Sequence, residues 1–268
     1  MNEFSQLKIN GLDYSLPVST GVTKLLLENI NIDIKSQGQQ NTFTSIIAPH
    51  DSGKSTLLKI ICGLIPPTKG QITFFPDSKV SPITKVVLIN EYKNYLPWLS
   101  VRKNIEFTLE HSRYDGKKNN SEIQNIIDLV GLNGYEDHVP SSKSKGFIFR
   151  IAVANALITN PDFILLDEPF RNFTSLSRSE AYQVLHNIKS NTRINFILST
   201  TNILEAIYFS DIVYMMQKNP GIIFDSIKLD RPKISAKFDI NDYTREIITE
   251  IQNRFAAKKN LGIINFSI

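Results

Sequence analysis

The residues of this chain that could do chemistry fall into two groups. The first is Gly53-Lys54-Ser55-Thr56, the end of the stretch Ala48-Pro49-His50-Asp51-Ser52-Gly53-Lys54-Ser55-Thr56, and the second is the carboxylate pair Asp167 and Glu168. The first pattern suits a nucleoside triphosphate. Backbone N–H groups of His50, Asp51, Ser52 and Gly53 can turn inward at a helix N-terminus, where the helix dipole favours an anion. Gly53 permits close backbone approach, Lys54 neutralises terminal phosphates, the Ser55 hydroxyl can ligate Mg²⁺, and Thr56 can support the same phosphates. Asp167 can hold that Mg²⁺ through water, and Glu168 can polarise an attacking water.

Two letters of the loop depart from its usual pattern. G-x-x-x-x-G-K-S/T places glycine where Ala48 stands, and a related form places another where Asp51 stands. If the first glycine is held at φ > 0, Ala48 costs about 1 kcal/mol. Asp51 sets a negative charge beside the phosphates; at roughly 5 Å and an effective dielectric near 20 the repulsion is about 3 kcal/mol, on the order of a hundredfold in affinity. Lys54, Mg²⁺ and the helix N-terminus oppose it. The expected result is weakened binding.

Elements are needed to position these groups. Residues 42–48 are β-rich and run into the loop, and 55–64 behind it reads as a buried helix. That strand-loop-helix context favours a phosphate loop over a surface turn that happens to carry the same letters. Residues 66–75 read as a turn and strand, and 85–89 as a buried strand. From about 92 to 157 the character is helical, with Ile123, Ile126, Ile127 and Val130 on one face and Gly131 as a stop. Residues 163–166 form an apolar strand buried on both faces that ends at the two carboxylates. Another strand, 195–200, precedes a helix, and after Pro232 comes an amphipathic helix carrying Ile247, Ile248, Ile251 and Phe255. Strands alternating with helices imply an α/β core with an inserted helical subdomain.

Composition narrows the class. With 268 residues, 41% apolar and 21% charged, the chain can bury a large core. Its 30 basic and 26 acidic residues form no long basic run, which gives no support to direct nucleic-acid binding. The single cysteine, Cys62, lies in an apolar stretch, reads as core packing and fits a reducing compartment. No apolar run approaches a membrane span, and the N-terminus lacks signal-peptide character; a cytosolic protein is the expectation.

With these stretches in view, the chain resembles the ATP-binding subunits of ABC transporters, and within them the nitrate, sulfonate and taurine importer family. The matching segments are 53–64 with 66–74, 89–105 with its Leu96-Pro97-Trp98, 150–170, and 205–223 with its Asn219-Pro220-Gly221-Ile222-Ile223. Together they extend from roughly residue 20 to 232. The resemblance implies an α/β P-loop NTPase of ABC type with an N-terminal antiparallel β portion. Its nucleotide-binding domain would be 1–232 with a helical subdomain inserted at about 92–157, and 233–268 would be a C-terminal extension. It implies ATP and Mg²⁺, with Asn90 at the position of a metal-linked glutamine and Tyr14 as the adenine platform, an edge-strand role for Tyr14 remaining open. It further implies a second ATP-binding subunit, homo- or heterodimeric, and a membrane permease met through Leu96, Pro97 and Trp98, with core packing of Trp98 as the alternative. The place implied is the cytoplasm, against the inner face of the cell membrane, with membrane contact only through the permease.

Several positions depart from that family. Its signature falls on Lys143-Ser144-Lys145-Gly146-Phe147, so that Ser144 and Gly146 match while a glycine is replaced by Lys145 and a glutamine by Phe147. The aspartate after the carboxylate strand falls on Thr174, and the switch histidine on Thr201. Two readings follow: an importer ATPase with weak or partner-dependent hydrolysis, or a non-hydrolytic regulatory subunit paired with a competent paralogue. A P-loop protein unrelated to transport is disfavoured by the Leu96-Pro97-Trp98 and 219–223 matches.

Overall fold

The computed structural model describes residues 3–19, 21–37, 41–75, 84–90, 94–112, 120–140, 144–230 and 240–258. The chain divides into two compact units, Met1–Thr84 with Asn195–Ile268, and Lys85–Ile194. Each unit has its own sheet strands and helices.

In the first unit, β1 (Glu3–Ser19) and β2 (Val22–Gln37) form a long antiparallel ribbon, and β4 (Lys69–Phe74) pairs with the other side of β1. β1 is therefore a central strand, and Tyr14 does not sit on an edge strand. The register sets Leu7 opposite Ile34, Ile9 opposite Ile32 and, past a register shift in β1, Leu12 opposite Ile30; all six are buried, which gives this sheet one dry face.

The remaining strands are β3 (Phe43–Ile47), β7 (Asn195–Thr200), β8 (Ile212–Gln217) and β9 (Ile222–Lys228), in the order β7-β3-β8-β9. β3 runs parallel to β7 and β8, and every residue of β3 and β7 is buried, as a strand covered on both faces requires. Phe43 stacks on Phe196 at 5.0 Å and on Phe209 at 5.2 Å. The helices are α1 (Lys54–Ile61), α6 (Ile203–Phe209) and α7 (Asp242–Ala256). The apolar stripe of α7, Ile247, Ile248, Ile251 and Phe255, packs into one cluster with Ile47 of β3, Ile203 and Ile207 of α6, and Val213 and Met215 of β8. The tail helix thus shares the core of this unit. Cys62 caps the C-terminal end of α1 and is only partly buried, so it is not the core residue expected; Gly63, at φ 76, ends the helix one residue later.

In the second unit, β5 (Val86–Asn90) pairs in parallel with β6 (Phe163–Asp167). β6 is wholly buried as expected, but β5 buries only Ile89, having a described strand on one side alone. The helices are α2 (Val101–His111), α3 (Asn120–Leu129), α4 (Lys145–Leu157) and α5 (Ser175–Asn191). Gly131, at φ 69, follows α3 as predicted. α4 is apolar almost all round and accordingly buried. Its Phe149 meets Phe170 and Phe173 edge-on, and Phe170 meets Tyr182 of α5. Among the described residues no helix is long and apolar enough to cross a membrane.

Candidate functional site

Residues 48–53 form a tight loop between the C-terminal end of β3 and the first turn of α1. The Ala48 N–H donates to the Thr200 carbonyl at 3.4 Å, tying the loop's start to the end of β7. Lys54 is 4% exposed, and its ammonium donates to the carbonyls of Ala48 at 2.9 Å and Pro49 at 2.8 Å. A charge this buried needs such acceptors, and they hold the loop curled around the Nζ atom. Gly53, at φ 93, caps α1 without any side-chain hydrogen bond, whereas Ser100, Ser144, Thr174, Asn202 and Asn241 cap α2, α4, α5, α6 and α7. The Ser52 hydroxyl is buried in the loop with no hydrogen-bond partner. Ser55 and His50 are at the surface, and Thr56 is half-buried. A helix start closed by no side chain, beside a held cation, suits a bound anion.

The strain in this loop lies elsewhere than the sequence suggested. Ala48 is fully buried and is not among the residues with positive φ, so alanine costs nothing in backbone conformation there. The left-handed residue is Asp51, at φ 58. Aspartate is one of the few side chains that visit this region readily, so the turn survives without glycine. Asp51 is also exposed, and water and salt screen its charge, which makes about 3 kcal/mol an upper bound on its repulsion of a phosphate.

In the second unit, Asp167 ends β6 and is 5% exposed, and Asn90 ends β5 in register with it. Parallel pairing therefore sets a carboxylate and an amide side by side at the same end of two strands. The Asn90 N–H donates to Asn94 Oδ1 at 3.2 Å. Glu168 adopts φ 42, a left-handed conformation unusual for this residue, and forms an ion pair with Arg171 at 3.7 Å. Arg171 was not anticipated; its place three residues after a site carboxylate was the available signal. Oxygen donors of this kind suit a hard cation such as Mg²⁺; among the described residues no group of three or more His, Cys, Asp or Glu side chains could hold a metal ion by itself.

The positions that depart from the expected signature and switch pattern have structural partners. Ser144 caps α4 by accepting from the Phe147 N–H at 3.2 Å, and Lys145 beside it is exposed; Lys143 lies outside the described residues. Gly146 is buried where α4 meets α5: a Cβ there would lie 3.1 Å from Ser177 Cβ and 3.2 Å from the Ser177 carbonyl. Phe147 is 6% exposed and packs edge-on against Tyr135, with the Arg150 guanidinium over its ring. Thr174 caps α5 by accepting from the Ser177 N–H. Thr201 is half-buried, and its neighbour Thr200 donates to the buried Glu205 carboxylate at 2.6 Å. Tyr14 is half-buried opposite Leu27. Leu96 is half-buried, Pro97 exposed and Trp98 70% exposed, so Trp98 does not pack in the core.

Within the first unit the structure gathers His50, Asp51, Ser52 and Gly53 in the loop with Lys54, Ser55 and Thr56 in the first turn of α1; within the second it gathers Asn90 with Asp167, and Gly146 with the start of α5. Sequence reasoning missed the apolar backing of the loop. A Cβ on Gly53 would lie 2.7 Å from Leu27 Cδ2 of β2, which makes Leu27 part of the loop's support.

Comparison with known proteins identifies the family and the fold. The model of the ABC transporter family matches residues 27–171. An aliphatic sulfonates import ATP-binding protein, SsuB, of Bacillus cereus is 34% identical over 247 residues, covering 92% of this chain and 93% of its own. The bicarbonate transport ATP-binding protein CmpC of Synechococcus elongatus is 31% identical over 235 residues, 87% of this chain and 35% of the longer relative. Among solved structures, the dimeric ATP-binding cassette MJ0796 bound to ADP and Pi superposes with a TM-score of 0.67 at 25% identity, covering 83% of this chain and 98% of the cassette. The fold is also that of cbiO1 from Clostridium perfringens, with a TM-score of 0.71 at 21% identity and 96% of each chain covered.

Proposed function

The chain belongs to the ABC transporter family, and from that premise we propose that it is the ATP-binding subunit of an importer, coupling ATP binding and hydrolysis to solute movement through a membrane permease. The observation that carries this reading is the loop at residues 48–53, closed around a buried Lys54 at a helix start with no side-chain cap.

In this reading the backbone of His50 to Gly53 and the Lys54 ammonium hold the phosphates, Thr56 supports them, and Tyr14 stacks on adenine. Ser55, Asp167 and Asn90 supply oxygen donors for Mg²⁺, which when bound neutralises charge on the phosphate oxygens. Glu168 accepts a proton from water as the water oxygen bonds to the γ-phosphorus. The bond from that phosphorus to its bridging oxygen breaks, and ADP leaves with the electron pair. Hydrolysis in this reading is weak or partner-dependent, because Lys145, Phe147, Thr174 and Thr201 depart from the family pattern. The permease meets Leu96, Pro97 and the exposed Trp98, and a second ATP-binding subunit completes the assembly, as the dimeric state of MJ0796 suggests. Membrane contact then runs through the permease alone, at the inner face of the cell membrane.

The test is ATP turnover by the purified chain with its permease. Glu168→Gln should lower the rate at least tenfold while leaving ATP affinity within about threefold, in keeping with the usual size of a general-base contribution. A rate that this substitution leaves unchanged overturns the catalytic assignment.

A second reading is favoured by the α4–α5 junction. There Gly146 serves close helix packing, Phe147 is core, and Ser144 and Thr174 are helix caps, so these positions have roles that need no nucleotide. A non-hydrolytic regulatory subunit paired with a competent paralogue accounts for them. Nucleotide binding without turnover, together with co-purification of a second ATPase chain, supports it. A symmetric homodimer with measurable turnover rules it out.

A further inference from the structure

The segment Asn219-Pro220-Gly221-Ile222-Ile223 has no part in the mechanism above, although it lies in the first unit with the phosphate loop. Gly221 bridges β2: its N–H donates to the Leu26 carbonyl at 2.8 Å, and its own carbonyl accepts from the Glu28 N–H at 3.0 Å. Its φ lies outside the left-handed region, so the backbone alone does not call for glycine. Space does. A Cβ at this position would fall on the Ser52 carbonyl oxygen and on Met216 Cε, and 3.0 Å from Leu27 Cδ2. The same Leu27 methyl fills the place of a Cβ on Gly53.

We propose that Gly221 is a positioning residue of the phosphate loop, acting through the Ser52 carbonyl. Because a trans amide is planar, with C=O and N–H pointing to opposite sides, seating the Ser52 oxygen against Gly221 turns the Gly53 N–H away from the 219–223 turn. That N–H is one of the phosphate donors, so a side chain at 221 rotates the Ser52–Gly53 peptide and misdirects it. The proposal rests on the reading that this loop holds nucleotide phosphates.

The test uses the full chain with Gly221→Ala, Met216→Ala and the double variant. Gly221→Ala should weaken ADP and non-hydrolysable ATP binding at least tenfold, and Met216→Ala should leave it within twofold. The double variant should stay weak, because trimming Met216 does not relieve the overlap with backbone. Wild-type affinity in Gly221→Ala, or recovery in the double variant, overturns the proposal. Amide exchange of the nucleotide-free proteins provides a second arm. Residues 48–54 should exchange faster in Gly221→Ala while β8 and β9 keep their protection. Faster exchange throughout the unit, with unchanged affinity per folded molecule, makes Gly221 a packing residue only and overturns the assignment. A wild type that binds no nucleotide refutes the functional reading instead, and the exchange arm still decides the role of Gly221.

Discussion

At the scale of single residues, a buried ammonium is the most demanding group in the phosphate loop. Lys54 donates to two carbonyls and is 4% exposed, so it serves the loop itself as well as the proposed ligand. Lys54→Ala should therefore do two things at once. ATP affinity should fall at least tenfold in titration calorimetry, and urea denaturation should show a loss of about 1–3 kcal/mol, because the Ala48 and Pro49 carbonyls lose their donor. The loss of affinity was legible from the letters Gly53-Lys54-Ser55-Thr56 alone, whereas the loss of stability was not. Residue type and spacing indicate what a side chain can bind, but they are silent on what it holds when nothing is bound. The same gap explains the misplaced strain: a missing glycine is visible at Ala48 and Asp51 alike, yet only Asp51 takes a left-handed φ. Which of the two does so depends on how the loop leaves β3, and sequence does not record that.

Among elements, strand and helix identity followed periodicity closely, because runs such as Phe163–Leu166 and the stripe of α7 have one sensible way to be buried. Cross-element ties were hidden. Tyr214 of β8 donates its hydroxyl to the Asp33 carbonyl of β2 at 3.0 Å, across 181 residues, and its burial pushes the phenol above its ordinary value. A raised folded-state value means that the folded protein favours the neutral phenol. Its contribution is complete below the unfolded value of about 10 and is lost as pH rises through the folded one. Stability should accordingly fall in the range above about pH 10, and Tyr214→Phe should make that fall shallower. At pH 7 the same substitution should cost about 1 kcal/mol, as the Asp33 carbonyl loses this donor. Denaturant titrations at pH 7 and at stepped alkaline pH measure both effects.

At the scale of the whole molecule the chain forms two compact units, and the second, Lys85 to Ile194, holds two strands and α5 together with the helical run at about 92–157. α7, near the C-terminal end, packs its apolar stripe into the core of the first unit. Amphipathicity marked the buried face of α7; nothing local could show what covered it. Ile251→Ala, at a fully buried position in that cluster, should destabilise the protein by about 2–5 kcal/mol in urea denaturation, where a detached tail would show almost no change. The first unit is also assembled from the two ends of the chain: β3 lies between β7 and β8, and the Thr42 N–H reaches Asn195 across 153 residues. That sets an order of events during synthesis. The stretch Lys85–Ile194 is contiguous and can begin to fold while β3 still lacks both neighbours. Thr200 and Gly221 emerge later, and the α7 side chains that close the core emerge last of these. A newly made chain thus carries the letters of its phosphate loop from residue 48 onward, and acquires the loop itself only once Thr200 and Gly221 have been made.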